Sequence, residues 1–151
     1  MKSTNTPAAE GAIVSARRFD PAPARVFAAF ANPAQLARWW GPDGFTTQIH
    51  EFDLRPGGAW RLTMRGPDGA KFVNLSHFLE VAAPNRVVYE HDDPVHRFRM
   101  TMTFAAEGTG TRLTWRMVFA SAEEFARVRA LVATANEQNF DRLAAHLVAS
   151  R

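Results

Sequence analysis

Residues 97–119 read Arg97-Phe98-Arg99-Met100-Thr101-Met102-Thr103-Phe104, then Ala105-Ala106-Glu107-Gly108-Thr109-Gly110-Thr111-Arg112, then Leu113-Thr114-Trp115-Arg116-Met117-Val118-Phe119. Apolar and polar residues alternate with a period of two, and a β-strand sends successive side chains to opposite faces. Phe98, Met100, Met102 and Phe104 share one parity, joined across the Gly108-Thr109-Gly110 turn by Leu113, Trp115, Met117 and Phe119. Arg97, Arg99, Thr101, Thr103, Arg112, Thr114 and Arg116 take the other. The stretch is an antiparallel hairpin with one face for a core and one for water.

The pattern extends upstream to Phe45, with Trp60, Leu62 and Met64 on the apolar parity and Arg61, Thr63 and Arg65 on the wet one. Turn chemistry at Pro56-Gly57-Gly58, Pro67-Asp68-Gly69, Ala83-Pro84-Asn85 and Asp92-Asp93-Pro94 divides it, giving a meander of about six strands. Between residues 72 and 79 either parity serves, because Phe72-Asn74-Ser76-Phe78 and Val73-Leu75-His77-Leu79 are both mostly apolar. Downstream, Ser121-Ala122-Glu123-Glu124 is a capping box. It opens a long helix to near Ala149, with Phe125, Val128, Val132, Ala135, Asn139 or Phe140, Leu143 and Leu147 on one stripe. Ahead of the meander, Ala12 to Asp20 reads as a strand and Ala24 to Ala31 as a helix with Val26, Phe27 and Phe30 on one side. Asn32-Pro33 caps a second short helix that Gly41-Pro42 stops after Trp40. The predicted order is strand, two short helices, meander, long helix, and the sheet face is the one apolar partner broad enough for that helix.

A chain of 151 residues, 46% hydrophobic and 22% charged, has the composition of one ordinary globular domain and excludes a disordered or fibrous protein. The expected organisation is an unstructured leader over residues 1–11 and a single domain over 12–151. No uncharged apolar run approaches the eighteen or so residues a membrane span needs, and no apolar segment follows Lys2 to make a secretory signal. The cysteine count is 0, which removes disulfides, thiolate nucleophiles and cysteine zinc sites, and makes a cytoplasmic address the default. Net charge is +3 and the basic residues are scattered instead of forming a run, so no nucleic-acid partner is expected.

The element order resembles the helix-grip fold of the START, birch-pollen-allergen and polyketide-cyclase-like (SRPBCC) superfamily. Individual words are similar to one branch, the activator of ninety-kilodalton heat-shock protein ATPase homologue-like family of small bacterial proteins. They are Phe19-Asp20-Ala22-Pro23 with Val26-Phe27, Trp39-Trp40-Gly41-Pro42 with Gly44-Phe45, Phe52-Asp53-Leu54-Arg55-Pro56-Gly57-Gly58, and Met64-Arg65-Gly66-Pro67-Asp68-Gly69. Glu80-Val81 with Pro84, Thr111-Arg112-Leu113-Thr114, and Glu137-Gln138 with Leu143 complete the likeness, which covers about Val14 to Leu147. The chain departs from it at Ala135-Asn136 and at Phe140. The resemblance implies an α+β fold: a curved antiparallel sheet of about seven strands around the long C-terminal helix, with two short helices after the first strand and a cavity between sheet and helix.

One helix laid on a wide curved sheet leaves its ends unfilled, and methionine adapts to irregular contents. The expected ligand-binding residues are therefore Trp39, Trp40, Phe52, Trp60, Met64, Phe98, Met100, Met102, Trp115, Met117, Phe125, Val132, Asn136 and Phe140, around a small apolar or aromatic molecule. Of the adjacent tryptophans, one reads as a core plug and the other as part of a lid. Asn74, Ser76, Glu80, His50 and Tyr89 are polar residues among strand apolars, most of them satisfied within the protein or by water. His91-Asp92-Asp93-Pro94-Val95-His96 gathers potential metal ligands, but at no metal-binding spacing, and turn preference explains its aspartates. No metal or other cofactor is expected.

The sequence holds no G-x-S-x-G, H-E-x-x-H or Gly-rich phosphate loop, so no catalytic residue is assigned. An enzymatic alternative, a cyclase, dehydratase or hydrolase in the same pocket, would draw on Glu80, His50 or Glu51. The family resemblance adds regulation of a chaperone ATPase, for which eukaryotic members use an additional domain. Exposed strand edges leave room for a homodimer.

Overall fold

The computed structural model describes residues 4–8, 11–92 and 97–150. Eight strands form one sheet: β1 (Thr4–Ala8), β2 (Ala12–Phe19), β3 (Thr46–Phe52), β4 (Ala59–Arg65), β5 (Lys71–Ala82), β6 (Arg86–His91), β7 (Phe98–Glu107) and β8 (Gly110–Phe119). The helices are α1 (Pro23–Ala31), α2 (Pro33–Trp39) and α3 (Ala122–Ala149). The strand order is β1-β2-β8-β7-β6-β5-β4-β3 and every pairing is antiparallel. The curved sheet, the two short helices after the strand at residue 12, and the C-terminal helix make the expected helix-grip architecture.

Two differences from the sequence reading have physical causes. Thr4–Ala8, placed in the unstructured leader, pairs along β2 from Thr4 opposite Ala16 to Ala8 opposite Ala12. Its sequence lacks apolar alternation, but pairing satisfies the free edge of β2, and an edge strand tolerates Pro7. The ambiguous parity of β5 resolves with Ser76 and Phe78 buried while Val73, Leu75 and Leu79 are exposed. A register shift between Phe78 and Glu80 then turns Val81 inward against the core. An irregularity of this kind reverses which parity is buried, so no strict alternation could have identified it.

Helix ends follow the local chemistry of the sequence. The Asn32 side-chain oxygen accepts from the amides of Ala34 and Gln35, and Ser121 Oγ accepts from the Glu124 amide at 3.0 Å. Along α3 the burial is uneven. Asn136, Asn139, Phe140, Leu143, His146 and Leu147 are buried in its C-terminal half, whereas Val128 alone is buried in its N-terminal half. The C-terminal half closes over an aromatic cluster in which Trp40 lies 5.1 Å from Trp60 and 5.3 Å from Trp115, ring centre to ring centre, and Phe140 lies 4.7 Å from Trp115. Arg17 of β2 ties the same half down, pairing with Glu137 at 3.1 Å and Asp141 at 2.8 Å.

His146 is buried beside α2, its Nε2 3.0 Å from Gln35 Oε1. Burial, reinforced by the charges of Arg25 and Arg38, lowers its pKa below the usual 6.5. The unfolded chain therefore binds this proton more readily, so the stability present above about pH 6.5 is lost as the pH falls towards the folded value. Thermal melts between about pH 7.5 and 5.5, on either side of that reference value, are expected to show a steeper loss in the wild type than in His146→Gln. Equal slopes would remove His146 from this role.

Candidate functional site

Beneath the N-terminal half of α3, where the helix stands off the sheet, lies an open cavity of about 560 Å³. The sheet supplies Met64 of β4, Phe72, Val73 and Asn74 of β5, His91 of β6, Phe98 of β7, and Met117 and Phe119 of β8. Helix α3 supplies Val128, Leu131, Val132, Thr134, Ala135 and Gln138, and the α2–β3 loop adds Pro42, Asp43 and Phe45. The lining is predominantly hydrocarbon, ring and thioether. Phe72, Val73 and Leu131 belong to the few large apolar side chains that remain exposed, and all three line this cavity. Exposed apolar surface gathered at one concave place marks a binding surface in soluble proteins.

The loop wall is built with care for its backbone. Trp40 ends α2, and Gly41 follows with φ of +110° in a position where a Cβ would come within 2.9 Å of Met64 Cε. Only glycine combines that dihedral with that approach. Three residues of α3 then hold the loop. Asn139 Nδ2 donates to the Trp39 carbonyl at 2.8 Å and its Oδ1 accepts from the Gly41 amide at 3.2 Å. Arg142 donates to the carbonyls of Gly41 and Pro42, at 3.0 and 3.1 Å. Gln138 Oε1 accepts from the Asp43 amide at 3.1 Å. Burial lowers the Arg142 pKa, with Asp43 opposing the shift, and the guanidinium stays charged at any neutral pH.

Of the fourteen sequence-expected ligand residues, Met64, Phe98, Met117 and Val132 line the cavity. The other ten are placed elsewhere. Trp39, Trp60, Met100, Met102, Trp115 and Phe140 are buried in the packed core, and Trp40, Phe52 and Phe125 pack half-buried against it. Asn136 directs its amide to Ser15 Oγ at 3.1 Å and to Met117 Sδ at 3.5 Å. Around Trp60 and Trp115 the cause is packing, since Trp40 and Phe140 close on those two rings, whereas Phe125, on the N-terminal half of α3, packs against Phe119. Trp39 is the plug, with its Nε1 donating to the Ala29 carbonyl at 3.0 Å, and Trp40 belongs to the cluster beside it instead of to the cavity rim.

The lining residues that the sequence reading does not assign to the site include Leu131, Thr134 and Gln138, which lie off the apolar stripe of α3, and six more with separate causes. Phe72 and Asn74 sat on the strand of undecided parity. His91 was read only as part of a turn with metal-ligand residues. Pro42, Asp43 and Phe45 carried only a turn signal. Of the potential metal ligands in the stretch from His91, Asp93 to His96 lie outside the described residues, and among the described residues no group of three or more potential ligands gathers. His50, Glu51 and Glu80 do not line the cavity. They are exposed, His50 against Thr63 Oγ1, Glu51 against Arg61 and Glu80 against Arg86.

A second cleft, about 820 Å³, lies beside Arg17, Arg18 and Arg25. Arg17 and Arg18 are already paired with Glu137, Asp141 and Asp20, and Arg25 with Ser150. Its walls are too polar and too self-compensated to match the apolar cavity as a ligand site.

The fold and its one-sided cavity define a helix-grip protein of the SRPBCC superfamily. The chain belongs to the activator of Hsp90 ATPase homolog 1-like family, whose profile matches residues 20–148. Solved structures agree on the fold. A crystal structure of a Rhodobacter sphaeroides protein superposes with a TM-score of 0.90 at 22% identity, covering 99% of this chain and 100% of that one. A Chromobacterium violaceum protein gives 0.81 at 27% identity over 91% and 96% of the two chains. The solution structure of an AHSA1-like protein from Aeromonas hydrophila gives 0.75 at 24% identity over 90% and 94%. Comparison with curated proteins gives no match. No helix among the described residues is long and apolar enough to cross a membrane.

Proposed function

We propose that this protein binds a small apolar or aromatic molecule in the cavity between the sheet and the N-terminal half of α3, acting in the cytoplasm and without a metal or other cofactor. The observation that carries the reading is the coincidence of an apolar cavity of about 560 Å³ with Phe72, Val73 and Leu131 left exposed around it. Sites for small molecules commonly span about 300–1,000 Å³ and are mostly apolar with a few placed polar groups. Here those groups are Asn74, His91 and Gln138. Ligand and cavity would gain the apolar area that both now expose, at about 25 cal/mol per Å² before the cost of association.

Screening a panel of lipids, polyketides and simple aromatics by native mass spectrometry and thermal shift tests this directly. A ligand held at about one hundred times its dissociation constant stabilises the folded state by about 2.7 kcal/mol, which a melting curve resolves. Val132→Trp, which places an indole in the cavity from α3, is expected to keep the fold and abolish the shift. A panel that yields neither retained ligand nor shift, or a Val132→Trp variant that binds as well as the wild type, counts against the proposal.

A further inference from the structure

The polar groups of the cavity have their hydrogen-bonding directions partly fixed by the protein, and what remains restricts the ligand. Asn74 lies on β5 with its Nδ2 donating to the Phe72 carbonyl at 3.2 Å. That contact requires the amide nitrogen, so the oxygen faces His91, whose Nε2 lies 2.9 Å from Asn74 Oδ1. An oxygen there requires the His91 ring proton on Nε2. His91 is held in this orientation by stacking on Phe98, with ring centres 4.7 Å apart and planes 8° from parallel. Across the cavity Gln138 has the same arrangement, its Oε1 accepting from the Asp43 backbone amide at 3.1 Å. Both carboxamides therefore have their oxygens engaged by protein donors. Each has amide hydrogen to offer, since an NH₂ group carries two and Asn74 uses one on Phe72.

Charge narrows the choice further. No lysine or arginine lines the cavity among the described residues. Asp43 stands exposed at its rim. An anionic ligand would enter an apolar space without a counter-charge and beside a carboxylate, which is costly. Thr134 is exposed, so solvent competes for its hydroxyl.

We infer that the cavity selects a neutral apolar molecule carrying an acceptor oxygen of the carbonyl type, received by the amide N–H groups of Asn74 and Gln138. The inference rests on the binding function proposed above and adds the polarity of the ligand and the residues that read it. A carbonyl that meets no donor when buried is penalised relative to a methylene at the same position. The donors reverse that order.

Fluorene and 9-fluorenone differ only in CH₂ against C=O, and fluorene-9-carboxylate adds a charge, so the three form the test set. Affinities are measured by titration against wild type, Asn74→Asp and Gln138→Leu. Asn74→Asp keeps an acceptor for His91 and removes both amide hydrogens. The wild type is expected to favour fluorenone over fluorene by about three- to tenfold, the usual worth of one hydrogen bond, and to bind the carboxylate weakest. In Asn74→Asp the ratio is expected to fall by about tenfold, and in Gln138→Leu by a smaller factor in the same direction. Should Asn74→Asp fail to fold, Gln138→Leu alone decides. Fluorene and fluorenone binding equally in all three proteins, or the carboxylate binding tightest, overturns the inference while leaving an apolar binder standing. Failure of every compound to bind the wild type removes the binding function itself.

Discussion

Trp39→Ala is expected to lower the unfolding free energy by about 3–5 kcal/mol, the range for truncating a buried large aromatic. Trp39 is 1% exposed. Its ring lies 6.5 Å from that of Trp115 in a stacked arrangement and 5.6 Å from that of Trp40. Truncation opens a void at the filled end of the grip and leaves the Ala29 carbonyl without its indole donor. The informative comparison is Val132→Ala, because Val132 lines a space that is already open. Removing atoms there creates little new cavity surface, so the cost reduces to lost transfer energy, about 1 kcal/mol. Urea denaturation of the two variants measures whether the two halves of the grip differ. Similar losses would mean that α3 packs along its whole length in solution and that the cavity is closed.

The same asymmetry explains how much of the site was legible in the sequence. The inner face was legible, because Trp60, Leu62, Met100, Met102, Leu113, Trp115 and Met117 keep strict parity and are all buried. So were the helix starts, whose caps Asn32 and Ser121 act locally on amides two or three residues away. Which part of the inner face remains open depends on contacts made from far away in the chain. Trp40 reaches Trp60 and Trp115, and Phe140 reaches Trp115 from the last helix. Alternation assigns a side to each residue and says nothing about what arrives opposite it. Asn136 shows the consequence, since its spacing on α3 marks the inner stripe while its amide is satisfied by Ser15 and Met117. Phe72 and Asn74 were obscured for a different reason: β5 is apolar on both parities at its exposed end, and its irregularity near Phe78 exchanges them.

Asn139→Leu, which keeps the branching and the number of side-chain heavy atoms, carries the second large expectation, a loss of about 2–5 kcal/mol. The variant leaves two buried backbone groups, the Trp39 carbonyl and the Gly41 amide, without partners, and each such orphan costs about 1–3 kcal/mol. Arg142→Ala removes several donors from the same loop, yet water can replace them where the side chain is partly exposed, so its loss is expected nearer 1 kcal/mol. The functional effect follows from position. Pro42, Asp43 and Phe45 form one wall of the cavity, and Asn139 fixes the Gly41 backbone from which that wall departs. If the variant holds the wall in place for only about a tenth of the time, its apparent affinity for any cavity ligand falls about tenfold, because the competent fraction multiplies the intrinsic constant. Amide hydrogen exchange separates this from general loss of stability. Gly41 and Phe45, whose amides donate to Asn139 and to the Pro42 carbonyl, are expected to lose protection well beyond that of Met100 and Met102 in the central strand β7. Retained protection at Gly41, or a loss shared equally by β7, would mean that the loop is held by its own turn and that Asn139 contributes only as packing. Loosened at Gly41 alone, the protein would keep its fold while its cavity lost a wall, which makes the α2–β3 loop and its anchor on α3 the part of the structure where stability and binding are most directly coupled.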